Sequence, residues 1–258
     1  MGVCKLTGRK GKMLRSHIIP NAFMKRATSS PFKEWGGEGK PNHMQTGWID
    51  NNLMTEAGEQ TLNKFETAAA NLLIGNGLTY RSRRNPNNPT ELIDHFASHT
   101  LHTFTNVDSY SLKIFGLSLL WRSAVTSHDT FKHININANV ETELREAITG
   151  KNVLKWNEYP VYFGFFEAKV ELGKIAPIYE KSNKAFRFFL DGVVCYVSKF
   201  RHNLWFNELK GPIIAGFNKS TIEIPCLSSD ESQHLKYEEE MATRLYNEQG
   251  DIFASKKR

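Results

Sequence analysis

Three polar residues stand where they could do chemistry together: His17 in the segment Arg15-Ser16-His17-Ile18-Ile19-Pro20, then Asn52, then Glu59 at the head of a helical pattern. An imidazole, with an ordinary pKa of ~6.5, takes a proton from water near neutral pH. Glu59 offers the hard carboxylate oxygen that magnesium and manganese favour; Ser16, beside the histidine, is a poor ligand. A strand pair carrying a histidine, a loop carrying an asparagine and a helix carrying a third polar ligand is the layout of a one-metal nuclease site. Each residue also has a plainer reading. His17 fits a surface histidine at a strand end, and Glu59 fits a first-turn carboxylate facing the helix dipole.

The elements that must position these residues can be read in order. Residues 1–20 suggest a hairpin, with a basic turn at Gly8–Gly11 and a return strand from Met13 to Ile19 that Pro20 ends. Asn21 to Arg26 allows one helical turn, and 28–47 reads as loop because its glycines and prolines leave no periodicity. Leu62, Phe65, Ala69, Leu72 and Leu73 recur at helical spacing, so 59–75 is an amphipathic helix stopped at Gly75-Asn76-Gly77. A helix over 90–102 would carry His95, His99 and His102 on one face, which is either a zinc-capable trio or an exposed histidine face.

The segment 108–126 is apolar nearly all round, from Tyr110 to Trp121, and predicts a buried central helix capped by Asp108. A shorter helix follows, capped by Asn139 and closed by Gly150. After 150 the period shifts to two, giving strands at 161–166, 168–172, 185–190 and 193–200, the last two joined by Asp191-Gly192. Ile213 to Phe217 and Thr221 to Ile224 extend the sheet, and a polar helix over about 230–247 precedes a basic tail. The fold class is α+β: a small ββα head (1–80), a helical middle (81–150) and an antiparallel β-rich C-terminal half (151–258).

With Ser-His-Ile-Ile-Pro, Asn52 and Glu59 in register, the first 75 or so residues resemble the HNH endonucleases of the ββα-metal fold. The likeness is to the subgroup whose histidine lies in that pentapeptide. Members carry Cys-x-x-Cys before the histidine and Asn-x-x-Cys-x-x-Cys-Glu after it. Here the pairs read Cys4-x-x-Thr7 and Thr55-x-x-Gly58, with Glu59 and Lys64-Phe65-Glu66 kept. Leu117-Ser118-Leu119-Leu120-Trp121-Arg122 resembles a segment of longer members.

The resemblance implies His17 as general base, Asn52 as the residue that pins the site's loop, and Glu59 with Ser16 on the metal side. The cofactor it implies is magnesium or manganese, weakly held. No structural zinc is expected, because one thiol among Cys4, Thr7, Thr55 and Gly58 is far from four soft ligands. Packing by Leu6, Leu14, Trp48, Leu53 and Phe65 must then replace what zinc would hold.

The chain has 258 residues, a formal charge of +6 and a pI of about 9.1, which permits a nucleic-acid partner without demanding one. Two basic stretches could hold phosphate: Lys5, Arg9, Lys10, Lys12 and Arg15 beside His17, and Arg81, Arg83 and Arg84. Either could equally be a solvated loop. The phenylalanines of the late strands read as core, as does Cys195. Three scattered cysteines argue against a disulfide framework. No run approaches a membrane span and no secretory signal is visible, so the expected setting is the reducing cytoplasm. The function that the resemblance implies is a metal-dependent DNA endonuclease of a prokaryotic or phage defence system. The other reading is an inactive HNH-derived module that binds DNA or, through the C-terminal half, a protein partner.

Overall fold

The computed structural model describes residues 1–24, 32–34, 42–44, 47–83, 101–166, 176–203 and 211–227. The fold is α+β and is organised around one helix, α3 (Ser109–Val125). Asp108 caps it, its Oδ1 accepting from Ser111 N at 2.9 Å. Every residue from Ser111 to Ser123 is buried, because α3 is packed on one side by α1 (Glu56–Leu73) and on others by α4 (Ala138–Ile148) and the sheet. At Gly116 the helix comes so close to the sheet that a Cβ would lie 2.5 Å from Val161 Cγ1. Only glycine permits that approach.

The sheet has six strands in the order β7-β12-β8-β11-β10-β9. They are β7 (Leu101–Thr105), β8 (Val161–Phe166), β9 (Ile178–Glu180), β10 (Ala185–Leu190), β11 (Val193–Ser198) and β12 (Thr221–Leu227). The β10–β11 hairpin turns at Asp191-Gly192, both at positive φ (52° and 89°), as a two-residue turn of the primed type requires. Pairing is antiparallel except between β12 and β8, so the sheet is mixed. One apolar core runs from Cys4 and Leu6 through Leu117, Leu120 and Trp121 to Phe163, Cys195 and Cys226. It is continuous across the boundaries expected near 80 and 150.

The head is a ββα unit of very short strands. β1 (Gly2–Val3) pairs with β2 (Lys10–Gly11), and β3 (Ser16–His17) pairs with β6 (Ile49–Asp50). The helix α1 follows, and a four-residue helix, α2 (Tyr80–Arg83), docks on the β10–β11 turn through Tyr80 N and Asp191 O at 2.8 Å.

Several elements differ from what the sequence predicts. The stretch 13–19 is not the return strand of the first hairpin, since His17 pairs with Ile49 across a long excursion. That excursion is not all loop: β4 (Phe32–Glu34) and β5 (Asn42–Met44) form a hairpin within it. The helix expected to reach 102 does not, because His102 lies in β7 opposite Ile224; His95 and His99 are outside the described residues. The cap of α4 is Asn137, whose side chain accepts from Val140 N, rather than Asn139. Residues 213–217 form turns with a single bridge from Ile214 to Tyr162 instead of a strand. The expected strand at 168–172 and helix at 230–247 lie outside the described residues. No helix among the described residues is long and apolar enough to cross a membrane.

Candidate active site

His17 and Ser16 enter the site from β3, and Glu59 enters from the first turn of α1. Ser16 is buried at 1% exposure, while His17 is half-buried, its ring lying against Gly47 and Met24's neighbourhood. The Ser16 hydroxyl faces the Glu59 carboxylate. Burial raises the Glu59 pKa above the ordinary carboxylate value; Ser16 and the Arg122 charge pull the other way, and Glu66 adds to the rise. Ser16 Oγ and Glu59 Oε1 are both buried, and apart from the approach of the Ser16 hydroxyl to the Glu59 carboxylate neither has a hydrogen-bond partner.

Two-residue strands cannot fix a site by their own ladder. The end of α3 does it instead. Arg122, 1% exposed, donates from Nη1 to His17 O at 3.2 Å and to Glu66 Oε1 at 2.7 Å. Asp50, the residue opposite Ser16, accepts from Thr126 Oγ1 at 2.6 Å, Ser127 N at 3.2 Å and Asn52 N at 2.7 Å. Burial works to raise the Asp50 pKa, but the bonds from Thr126, Asn52 and Ser127 and the charge of Lys5 outweigh it and leave it lowered. Lys5 Nζ donates to Val125 O at 2.5 Å, at the end of the same helix.

The four positions that match the family's zinc cysteines, Cys4, Thr7, Thr55 and Gly58, meet in space. Thr7 N donates to Cys4 Sγ at 3.5 Å, and a Cβ at Gly58 would lie 2.7 Å from that sulfur. Burial works to raise the Cys4 pKa, yet hydrogen bonds from Thr7 and Thr55 outweigh it, leaving the thiol below its ordinary value. Cys4, Leu6, Trp48, Leu53 and Phe65 are all buried in the main core, while Leu14 is half-buried.

The predicted site residues thus divide. His17, Ser16 and Glu59 come together. Asn52 is exposed, and the side chain that pins its turn is Asp50. Arg9, Lys10, Lys12 and Arg15 are exposed on the head, whereas Lys5 is tied to α3. Arg81 and Arg83 are turned inward: Arg81 Nη2 donates to Ala22 O at 3.4 Å, and Arg83 to Gly77 O at 3.1 Å and Leu78 O at 2.6 Å. Arg83 closes the turn after α1 and Arg81 reaches across to the 3-10 turn at Asn21–Phe23, uses that the charge run did not announce; Arg84 lies outside the described residues.

Sequence reasoning passed over Arg122 and Asp50. The available signal was a lone arginine in an apolar helix, since a buried guanidinium demands buried acceptors. Among the described residues, no three of His, Cys, Asp and Glu are grouped to hold a metal ion. Comparison with protein-family models, with curated proteins and with solved structures finds no match.

Proposed function

We propose that this chain is a divalent-metal-dependent endonuclease of the HNH type, acting on DNA with His17 as general base. The observation that carries the reading is the pair of buried oxygens, Ser16 Oγ and Glu59 Oε1, which face each other and have no hydrogen-bond partner outside the pair, beside His17 on a ββα unit. Buried polar atoms are almost always satisfied. Two facing oxygens fit a hard cation that keeps most of its water, as magnesium and manganese do. Such an ion would stabilise charge on the scissile phosphate and the leaving oxygen.

The chain's own residues do the rest. Glu59 and Ser16 would hold the ion from the helix and strand sides. Arg122 favours the ionised form of Glu59 that a cation requires. His17 takes a proton from the attacking water, held there by β3 and by the bond from Arg122 to its carbonyl. The exposed Arg9, Lys10, Lys12 and Arg15, close in sequence to His17, would contact phosphates. The three free cysteines accord with a reducing, cytoplasmic setting, and the family resemblance accords with a prokaryotic or phage defence role.

The test is plasmid nicking with magnesium or manganese, comparing the wild type with His17→Ala. Nicking lost in the variant supports the proposal. A second reading, an inactive module, is favoured by the single carboxylate at the site. Salt-sensitive DNA binding with no nicking in any divalent metal would establish it.

A further inference from the structure

Arg122 is the most completely enclosed cation near the site. Its Nε donates to Ser118 O at 3.4 Å and its Nη2 to Ser118 Oγ at 3.3 Å, both on its own helix. Its Nη1 reaches off the helix to two other elements, the His17 carbonyl on β3 and the Glu66 carboxylate on α1. Glu66 lies two turns along α1 from Glu59, so both carboxylates project from one helix face. The guanidinium therefore ties together the strand that carries the histidine and the helix that carries the carboxylate. At 1% exposure it cannot meet DNA.

We infer that Arg122 is a positioning residue of the candidate site, holding the His17 strand at a fixed distance from the Glu59 helix through one nitrogen, Nη1, while Nε and Nη2 stay anchored on Ser118. This inference rests on the nuclease reading for its consequence in cleavage, but not for its geometry. The planar guanidinium matters more than the charge, because Nε and Nη2 hold Ser118 while Nη1 bridges the carbonyl and the carboxylate, and the single nitrogen of an ammonium cannot be anchored and bridge in the same geometry. Lysine should therefore fail as a replacement. Gln at 66 keeps an acceptor oxygen and should succeed.

The experiment uses the full chain with Arg122→Lys, Arg122→Gln and Glu66→Gln, read by two independent measurements. The first is the ring 1H–13C spectrum of His17 in the folded protein, with His128 and His133 as internal references. Both Arg122 variants should shift or split the His17 ring signals and leave the references in place, while Glu66→Gln should resemble wild type. The second is nicking, which should fall about 10–100-fold in kcat for the Arg122 variants with DNA affinity unchanged. Should the Arg122 variants not fold, Glu66→Leu removes the carboxylate acceptor of Nη1 from a side chain that is 25% exposed, and the same ring signals are read. Unchanged His17 signals in folded Arg122 or Glu66→Leu variants overturn the inference, as does full rescue by lysine. A wild type that never nicks, combined with His17 signals that move, overturns the nuclease reading and upholds the positioning role.

Discussion

The head and the sheet are held together by opposite means. In the sheet, four of the six strands have six or seven residues, β10 and β11 pair along their whole length, and β8 is buried on both faces. In the head, β3 and β6 are two residues each, and single side chains from the end of α3 clamp them. Apolar packing is distributed, so the sheet's integrity is shared among many contacts. The head depends on a few polar groups, each able to release a site residue.

The comparison breaks first at the shared core. Leu120, fully buried in α3, belongs to both regions, and Leu120→Ala should lower global stability by about 2–5 kcal/mol through cavity formation. A urea melt showing a loss below about 1 kcal/mol would mean that α3 is not the centre of both.

The head's polar clamp should yield less and act locally. Asp50→Ala leaves the donors of Asn52, Thr126 and Ser127 unmet and should cost about 1–3 kcal/mol. Amide exchange should quicken at 47–62 and stay slow in β11; equal quickening in β11 would show that the two regions open together.

A pH effect sharpens the sheet side. Lys113 is wholly buried in α3, where burial pushes its pKa down to about 7 despite Glu158. Its Nζ donates to Lys155 O and, at 2.7 Å, to Glu158 O. The unfolded lysine keeps its proton up to the ordinary value of ~10.4, so between about 7 and 10 the unfolded state binds more protons. Lys113 therefore makes stability rise with pH across that window, by at most about 1.4 kcal/mol per unit. Denaturant melts of Lys113→Met should lack this rise; an unchanged slope would show that Lys113 stays charged in the fold.

The smallest effect separates exposed from inward-turned cations. Lys10→Ala and Lys12→Ala should each reduce the salt slope of DNA binding by about one phosphate contact. Arg83→Ala should leave that slope alone and destabilise the protein, since its donors serve Gly77 and Leu78. If Arg83→Ala lowers the slope as much, the inward position is not the one it takes on DNA.

Legibility in the sequence follows the same division. The central helix is read within a residue at each end, because Asp108 caps it and its apolar run has no polar face to confuse the period. The Asp191-Gly192 hairpin is equally plain. The β3–β6 pairing is not, since two-residue strands have no periodicity and their partner lies some thirty residues away. In β7, half-buried His102 and Phe104 alternate with exposed Leu101, Thr103 and Thr105, yet the spacing of three histidines suggested a helix. At the site, His17, Ser16 and Glu59 could be named from residue type and register. Arg122 and Asp50 could not, because their roles exist only where α3 meets the head.

The clamp at the end of α3 also sets an order of events during synthesis. Lys5 waits for Val125, 120 residues later, and His17 waits for Arg122, 105 residues later. At roughly 5–20 residues per second, a ribosome needs about 5–20 s to bridge the second gap. Through that interval the nascent head has its histidine and its carboxylate but not the residue that spaces them. Completion of the site is thus timed by translation itself, and the histidine strand is fixed only after the helix on which the rest of the protein is built.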